Sequence, residues 1–164
     1  MAEVLACCYF AAQIDAADVE FVLAPPRARP SLEKPSESEA ESDAAPREDE
    51  EDGIFKSETL GPHALWILDF DCCRPISLTE QGMTKAVDAF WGNDPYFPRP
   101  GRTDPKDVKL WSVFRGRFLE VGKEILGARE DEDVDARKLP GLWVEMCESL
   151  GAGRAASLPT KNGE

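Results

Sequence analysis

Basic side chains are scarce in this chain. Its 164 residues hold 19 Lys and Arg against 32 Asp and Glu, a formal net charge of -13. Phosphate backbones and anionic lipid surfaces both repel such a chain, so neither a nucleic acid nor a membrane is expected as a partner. Arg115 with Arg117 is the local exception, and a pair of that kind is most often a solvated helix face. Long apolar runs are missing too, which excludes a span across a bilayer. The apolar stretch Val4 to Ala12 has no basic leader, carries Glu3 ahead of it and runs into Asp15 without a small-residue cleavage motif; a signal peptide is not expected. Histidine occurs once, as His63. The five cysteines, Cys7, Cys8, Cys72, Cys73 and Cys147, are odd in number and four of them are adjacent in pairs. No secreted disulfide framework fits that pattern, and reduced thiols in an intracellular protein, cytoplasmic or nuclear, are the economical reading.

What the chain does have is aromatic residues in periodic segments, with four Trp and eight Phe. Ala2 to Gln13 reads as a helix, with Leu5, Cys8, Tyr9 and Ala12 on one stripe. Glu20 to Leu23 reads as a short strand stopped by Pro25 and Pro26. Residues 25–59 are rich in Ser, Glu, Asp and Pro. They offer too little apolar surface to offset the entropy of ordering, and a disordered acidic insert is expected. Ser36, Ser38 and Ser42 sit there in acidic surroundings of the kind that acidophilic kinases prefer. Leu65 to Leu68 is a continuous apolar run, the pattern of a strand buried on both faces, and it ends in Asp69-Phe70-Asp71.

Ser77 and Glu80 have capping-box spacing and open a helix with Met83, Ala86, Val87, Phe90 and Trp91 on one face. Asp104-Pro105 reads as an N-cap followed by a first-turn proline. The helix beyond carries Trp111, Phe114, Phe118, Val121 and Ile125, and Gly127 ends it. An acidic loop from Glu130 to Asp135 precedes a last helix from about Pro140. That helix buries Leu142, Trp143, Met146, Cys147 and Leu150 and stops at Gly151. The expected organisation is therefore an N-terminal block, 1–24, the insert, 25–59, a helical C-terminal domain, 60–154, and a frayed tail, 155–164. The fold class is α+β, mostly helical, with a two-stranded hairpin interrupted by the insert and three or four helices.

The order helix, turn with Asp15, short strand, excursion, strand ending in Asp69, then helices resembles the C-terminal lobe of protein kinases and aminoglycoside-type phosphotransferases. In those folds a catalytic loop precedes a hairpin whose second strand ends in Asp-Phe-Gly or a related triplet. Here the loop reads Gln13 to Glu20 and the triplet is Asp69-Phe70-Asp71. The resemblance implies Asp15 in the place of the base, Asp69 as a Mg²⁺ ligand with Asp71 beside it, and Glu20 where the family carries asparagine. Gln13 stands where the family has histidine. The chain opens at the helix before that loop, so the phosphate-clamping Gly-rich loop and strand lysine are not part of it. Mg-ATP is expected only if such a lobe exists, and catalysis is not the leading expectation.

A second resemblance rests on Leu65 to Ile76, on Ala89 to Pro100, and on Leu110-Trp111. These strings are similar to a fungal domain-of-unknown-function family whose members are loosely labelled zinc finger proteins. Structural zinc needs four Cys or His ligands, usually in spaced cysteine pairs. If zinc binds here, His63, Cys72 and Cys73 are its first candidates; otherwise one cysteine of each pair packs inward as a small hydrophobe. Asp69 has an ordinary alternative as well, capping the turn after its strand. The leading functional expectation is a non-catalytic, kinase-like binding or scaffold module with an unidentified protein partner. A phosphotransferase fragment and a zinc-dependent interaction module are the alternatives.

Overall fold

A computed structural model of the protein describes residues 1–26, 54–59, 61–129 and 135–157. These divide into two compact units, one formed by Met1–Glu20 with Asp69–Glu164 and the other by Phe21–Leu68. The fold is α+β, as the periodicities imply.

The first unit is helical. Helix α1, Ala2–Ala6, passes directly into a π-helical turn, Cys7–Ala11. The widened turn shows in the bond from the Ala12 amide to the Cys7 carbonyl, 2.9 Å, five residues back. One extra residue in the turn rotates the apolar stripe, so Phe10 is fully buried while Ala12, expected on the stripe, is exposed. Helix α2 is Glu80–Gly92, α3 is Pro105–Gly127, and α4 is Leu139–Ser157, preceded by a 3₁₀ turn at Ala136–Lys138.

The core of this unit is an aromatic stack. Trp143 of α4 is fully buried, with ring centroids of Phe118 at 4.3 Å, Phe90 at 5.0 Å and Tyr9 at 5.6 Å. Such contacts add to plain area burial. Trp111, Phe114, Phe118 and Val121 line the inward face of α3 as the spacing predicts, but the last position is taken by Leu126 instead of Ile125. Gly122 is buried as well, so from Phe118 the inward row continues through Gly122 and Leu126 in steps of four, the drift of a 3.6-residue period away from a strict three-four alternation. Asp104 caps α3, accepting from the Lys106 amide at 2.8 Å, with Pro105 first in the helix.

Two helix boundaries differ from the sequence reading. The N-cap of α2 is Thr79, whose hydroxyl accepts from the Gly82 amide at 3.3 Å, while Ser77 bonds that hydroxyl at 2.8 Å. A capping box counted from Thr79 would need its glutamate at 82, where the chain has glycine, so the reciprocal half is missing. Gly151 does not stop α4. The helix runs through it to Ser157, because that glycine serves close approach: a Cβ there would meet the Pro100 carbonyl oxygen at 2.7 Å.

The second unit holds a sheet of three strands where the hairpin reading has two. Strands β1, Glu20–Ala24, β2, Ile54–Ser57, and β3, Gly61–Leu68, lie in the order β1-β3-β2. Strand β2 falls inside the stretch read as disordered; residues 27–53, with the serines at 36, 38 and 42, lie outside the described residues. It pairs antiparallel with β3, Phe55 opposite His63, and those two rings stack at 5.8 Å. Strand β3 is not buried on both faces: Leu65 and Leu68 are exposed and Trp66 and Ile67 half-buried. An unbroken apolar run satisfies the sequence pattern of a central strand whether or not layers cover it.

Candidate functional site

The loop from Gln13 to Val19 has unusual backbone geometry. Gln13, Ala16 and Asp18 all take positive φ, at 54°, 54° and 65°. Non-glycine residues enter this region at a cost and stay there only when their surroundings hold them. Two side chains do the holding. Asp15 Oδ1 accepts from the Ala17 amide at 3.1 Å and from the Arg74 amide at 2.9 Å. Asn93, at the end of α2, accepts from the Asp18 amide through Oδ1 at 2.8 Å and donates from Nδ2 to the Ala16 carbonyl at 2.9 Å. Around them runs a short ladder: the Asp15 amide bonds the Arg74 carbonyl at 2.9 Å and the Ile76 amide bonds the Gln13 carbonyl at 2.8 Å. Asp15 and Asn93 are the two buried polar residues that this lacing requires, at 8% and 9% exposure.

Asp15 stays inside the loop, apart from the other sequence-predicted carboxylates, Glu20, Asp69 and Asp71. Asp69, itself at φ 65°, is exposed, and its carboxyl is held above the ordinary value by a hydrogen bond with Asp71 and by the charge of Asp71, then by Asp18 and Glu20. Four acidic side chains thus share one solvent-facing corner. Cys72 lies in their field and its thiol is raised by Asp71 first. Cys73 packs inward, with its Sγ donating to the Ala17 carbonyl at 3.7 Å; burial and then Asp15 raise it.

The zinc candidates fall in different units. His63 bonds the Gly61 carbonyl through Nδ1 at 3.1 Å and belongs to the sheet unit, whereas Cys72 and Cys73 belong to the helical one. Among the described residues no group of three or more His, Cys, Asp or Glu is arranged to hold a metal ion. The same finding covers the carboxylate corner: it gathers charge without a chelating set.

The arginine pair Arg115 and Arg117 is engaged. Arg115 bonds Glu148 at 3.0 Å, and Arg117 bonds Glu3 at 2.6 Å and Glu120 at 2.8 Å.

A groove that the sequence does not announce lies between α2 and α4. Two adjoining cavities, about 760 Å³ and about 490 Å³, share Leu142 and Glu145 as lining. Leu78, Val87, Leu142, Met146 and Leu150 supply apolar surface; Glu80, Asp88, Asp135 and Glu145 make a mainly acidic rim, with Lys138 its one basic member. Leu150, expected in the core, is 43% exposed here. The signal was present in sequence only as an apolar stripe on α4 too wide for one contact face.

Comparison with known proteins covers part of this molecule. Residues 65–130 match the model of the DUF3669 family, described as zinc finger protein. This stretch holds the end of β3, α2 and α3, together with Asp69, Asp71 and the cysteine pair. No curated protein and no solved structure matches the chain. The kinase-like likeness and the fungal lineage rest on sequence resemblance alone. No helix among the described residues is long and apolar enough to cross a membrane.

Proposed function

We propose that this protein is a non-catalytic, kinase-like module that binds another protein, not a phosphotransferase. The reading is carried by Asp15. A general base must offer a carboxylate oxygen to the hydroxyl it activates, within hydrogen-bond reach. Asp15 is nearly inaccessible, and one of its oxygens already accepts two backbone N–H groups, so its charge is used to hold the loop.

The α2/α4 groove supports a partner of definite chemistry. Its apolar floor and acidic rim complement an amphipathic helix with basic flanks, the helix-in-groove mode of recognition. None of Glu80, Asp88 and Glu145 has an ion-pair partner among the described residues, so all three are available to lysine or arginine of the partner.

The test is calorimetric titration of the full chain with Mg-ATP, and separately with a lysine- and leucine-rich amphipathic peptide. We expect no heat with Mg-ATP. The peptide should bind, and should weaken about tenfold in an Asp88→Lys, Glu145→Lys double variant, the scale of losing two surface ion pairs in a partly desolvated groove. Saturable Mg-ATP binding that Asp69→Ala abolishes would overturn this conclusion. It would establish the phosphotransferase reading, to which the shared corner of Asp69, Asp71, Asp18 and Glu20 lends its one specific support. Stoichiometric zinc in the purified chain, with unfolding by a chelator, would establish the zinc-dependent alternative.

A further inference from the structure

The groove between α2 and α4 has a direction. Thr79 and Glu80 line its first cavity together with Leu139 and Leu142. Thr84 and Asp88 line the second together with Met146 and Leu150. Further along, the Trp91 ring lies 4.5 Å from Arg154 Cζ. Residue numbers rise together on both walls, so the two helices run parallel and begin at the same end. Residues 139–150 of α4 flank the groove, about three turns and about 17 Å of helix.

Charge is unevenly placed along that length. Where the helices begin, each N-terminus carries roughly half a positive charge from its aligned peptide dipoles. Lys138 is there too, paired with Asp135 at 2.9 Å, and Glu80 stands in the first turn of α2. Those charges nearly cancel. Glu145, which lines both cavities, and Asp88 are placed differently. Both are exposed, and neither has an ion-pair partner among the described residues. Asp88 also lies two turns into α2, past the first turn in which the dipole acts. Lys85, the nearest basic residue to Asp88 in sequence, lines neither cavity. The groove is therefore close to neutral where the helices begin and acidic further along.

A helix carries the complementary polarity in itself, positive at its N-terminus and negative at its C-terminus. We propose that the helix this groove takes lies antiparallel to α2 and α4, spans about three turns, holds its lysines or arginines in its N-terminal half and ends against Thr79 and Leu139. In that direction its positive end and its basic side chains meet Asp88 and Glu145, and its last carbonyls meet two helix N-termini. Apolar side chains one and two turns apart on one face reach both cavities. This inference rests on the helix-in-groove reading and adds the direction and charge order of the partner.

The experiment uses the full chain and two peptides of about 15 leucine, alanine and lysine residues, acetylated and amidated, one with its lysines in the N-terminal half and the other its reversed sequence. A nitroxide at either peptide end broadens nearby signals in the ¹⁵N spectrum of the chain. With the label at the C-terminus of the first peptide, the amides of Thr79, Glu80, Gln81 and Gly141 should broaden; with the label at its N-terminus, those of Asp88, Ser149 and Leu150. The reversed peptide should bind about fivefold more weakly, the scale of misaligned helix dipoles. Asp88→Asn should weaken the first peptide about threefold, the scale of one surface ion pair, and Glu80→Gln should not weaken it. An opposite or evenly mixed broadening pattern, equal affinity for the two peptides, or a loss in Glu80→Gln as large as in Asp88→Asn overturns this inference and leaves the groove reading standing. Absence of saturable binding by either peptide, with no broadening of groove residues, overturns the groove reading and this inference with it.

Discussion

Asp15 concentrates the local chemistry of the loop in one carboxylate. Its hydrogen bonds to the Ala17 and Arg74 amides are charge-assisted, and they pin a segment with three residues at positive φ. Asp15→Ala should therefore destabilise the protein by about 1–3 kcal/mol, the cost of stranding buried donors, measured by urea unfolding. The Asp69 corner behaves differently because it is exposed. Asp69 binds its proton more tightly in the folded state than the ordinary 3.8. A carboxyl raised on folding contributes stability below its unfolded value, and that contribution is lost as pH rises through the folded one. Asp71→Asn removes the partner that does most of the raising. It should return Asp69 toward its ordinary value in a carboxyl ¹³C titration and make the protein more stable at neutral pH but not below pH 3.8. Thiols report the same contrast between exposure and burial. Cys7 is exposed, whereas burial pushes the Cys8 thiol up to about 11 and Cys147 is fully enclosed. Mass spectrometry after brief alkylation at mildly alkaline pH should find Cys7 modified and Cys8 and Cys147 spared, since the thiolate is the reactive form.

At the scale of elements, the informative places are where helices begin, end and touch. The α3 N-cap was legible because Asp-Pro specifies both the side-chain acceptor and the first φ. The contact between Gly151 of α4 and Pro100 was not, since a glycine that permits backbone approach looks in sequence like one that ends a helix. Gly101→Ala tests this directly. A side chain must enter positive φ and meet the Gly151 carbonyl, so a loss of roughly 1–3 kcal/mol is expected in thermal or urea unfolding. The π turn at Cys7–Ala11 belongs here as well. Nothing in the residues Cys-Cys-Tyr-Phe-Ala demands a wider turn. The wider turn accompanies the burial of Tyr9 and Phe10 together against Phe118.

For the whole molecule, apolar surface is unequally distributed. The helical unit encloses a continuous aromatic core, while no residue of β1, β2 or β3 is buried, and Val22, Leu23, Ile54, Phe55, Leu65 and Leu68 are all exposed. Backbone bonds without covering layers open at low cost. Amides of Phe21–Ala24, Ile54–Ser57 and Ala64–Leu68 should exchange much faster than those of Phe114–Val121 by hydrogen–deuterium exchange mass spectrometry. Equal protection would mean that a partner or another part of the chain shields the sheet.

Sequence alone determined the helical periodicities, the cap of α3, the inward faces of α2 and α3, and the acidity that disfavours polyanionic partners. These depend on neighbours a few residues apart, where spacing and local bonding decide the outcome. It also ran the carboxylates of Asp69 and Asp71 together, because they sit two residues apart at a strand end. Tertiary structure decided the rest. Asp15 meets the Arg74 amide across 59 residues and Asn93 reaches Ala16 across 77. Arg99 and Arg154 gather on one tryptophan from different elements. Pairings of that kind are chosen by packing, because a buried donor or charge takes whichever partner the assembled core brings within reach, and spacing along the chain carries no record of it.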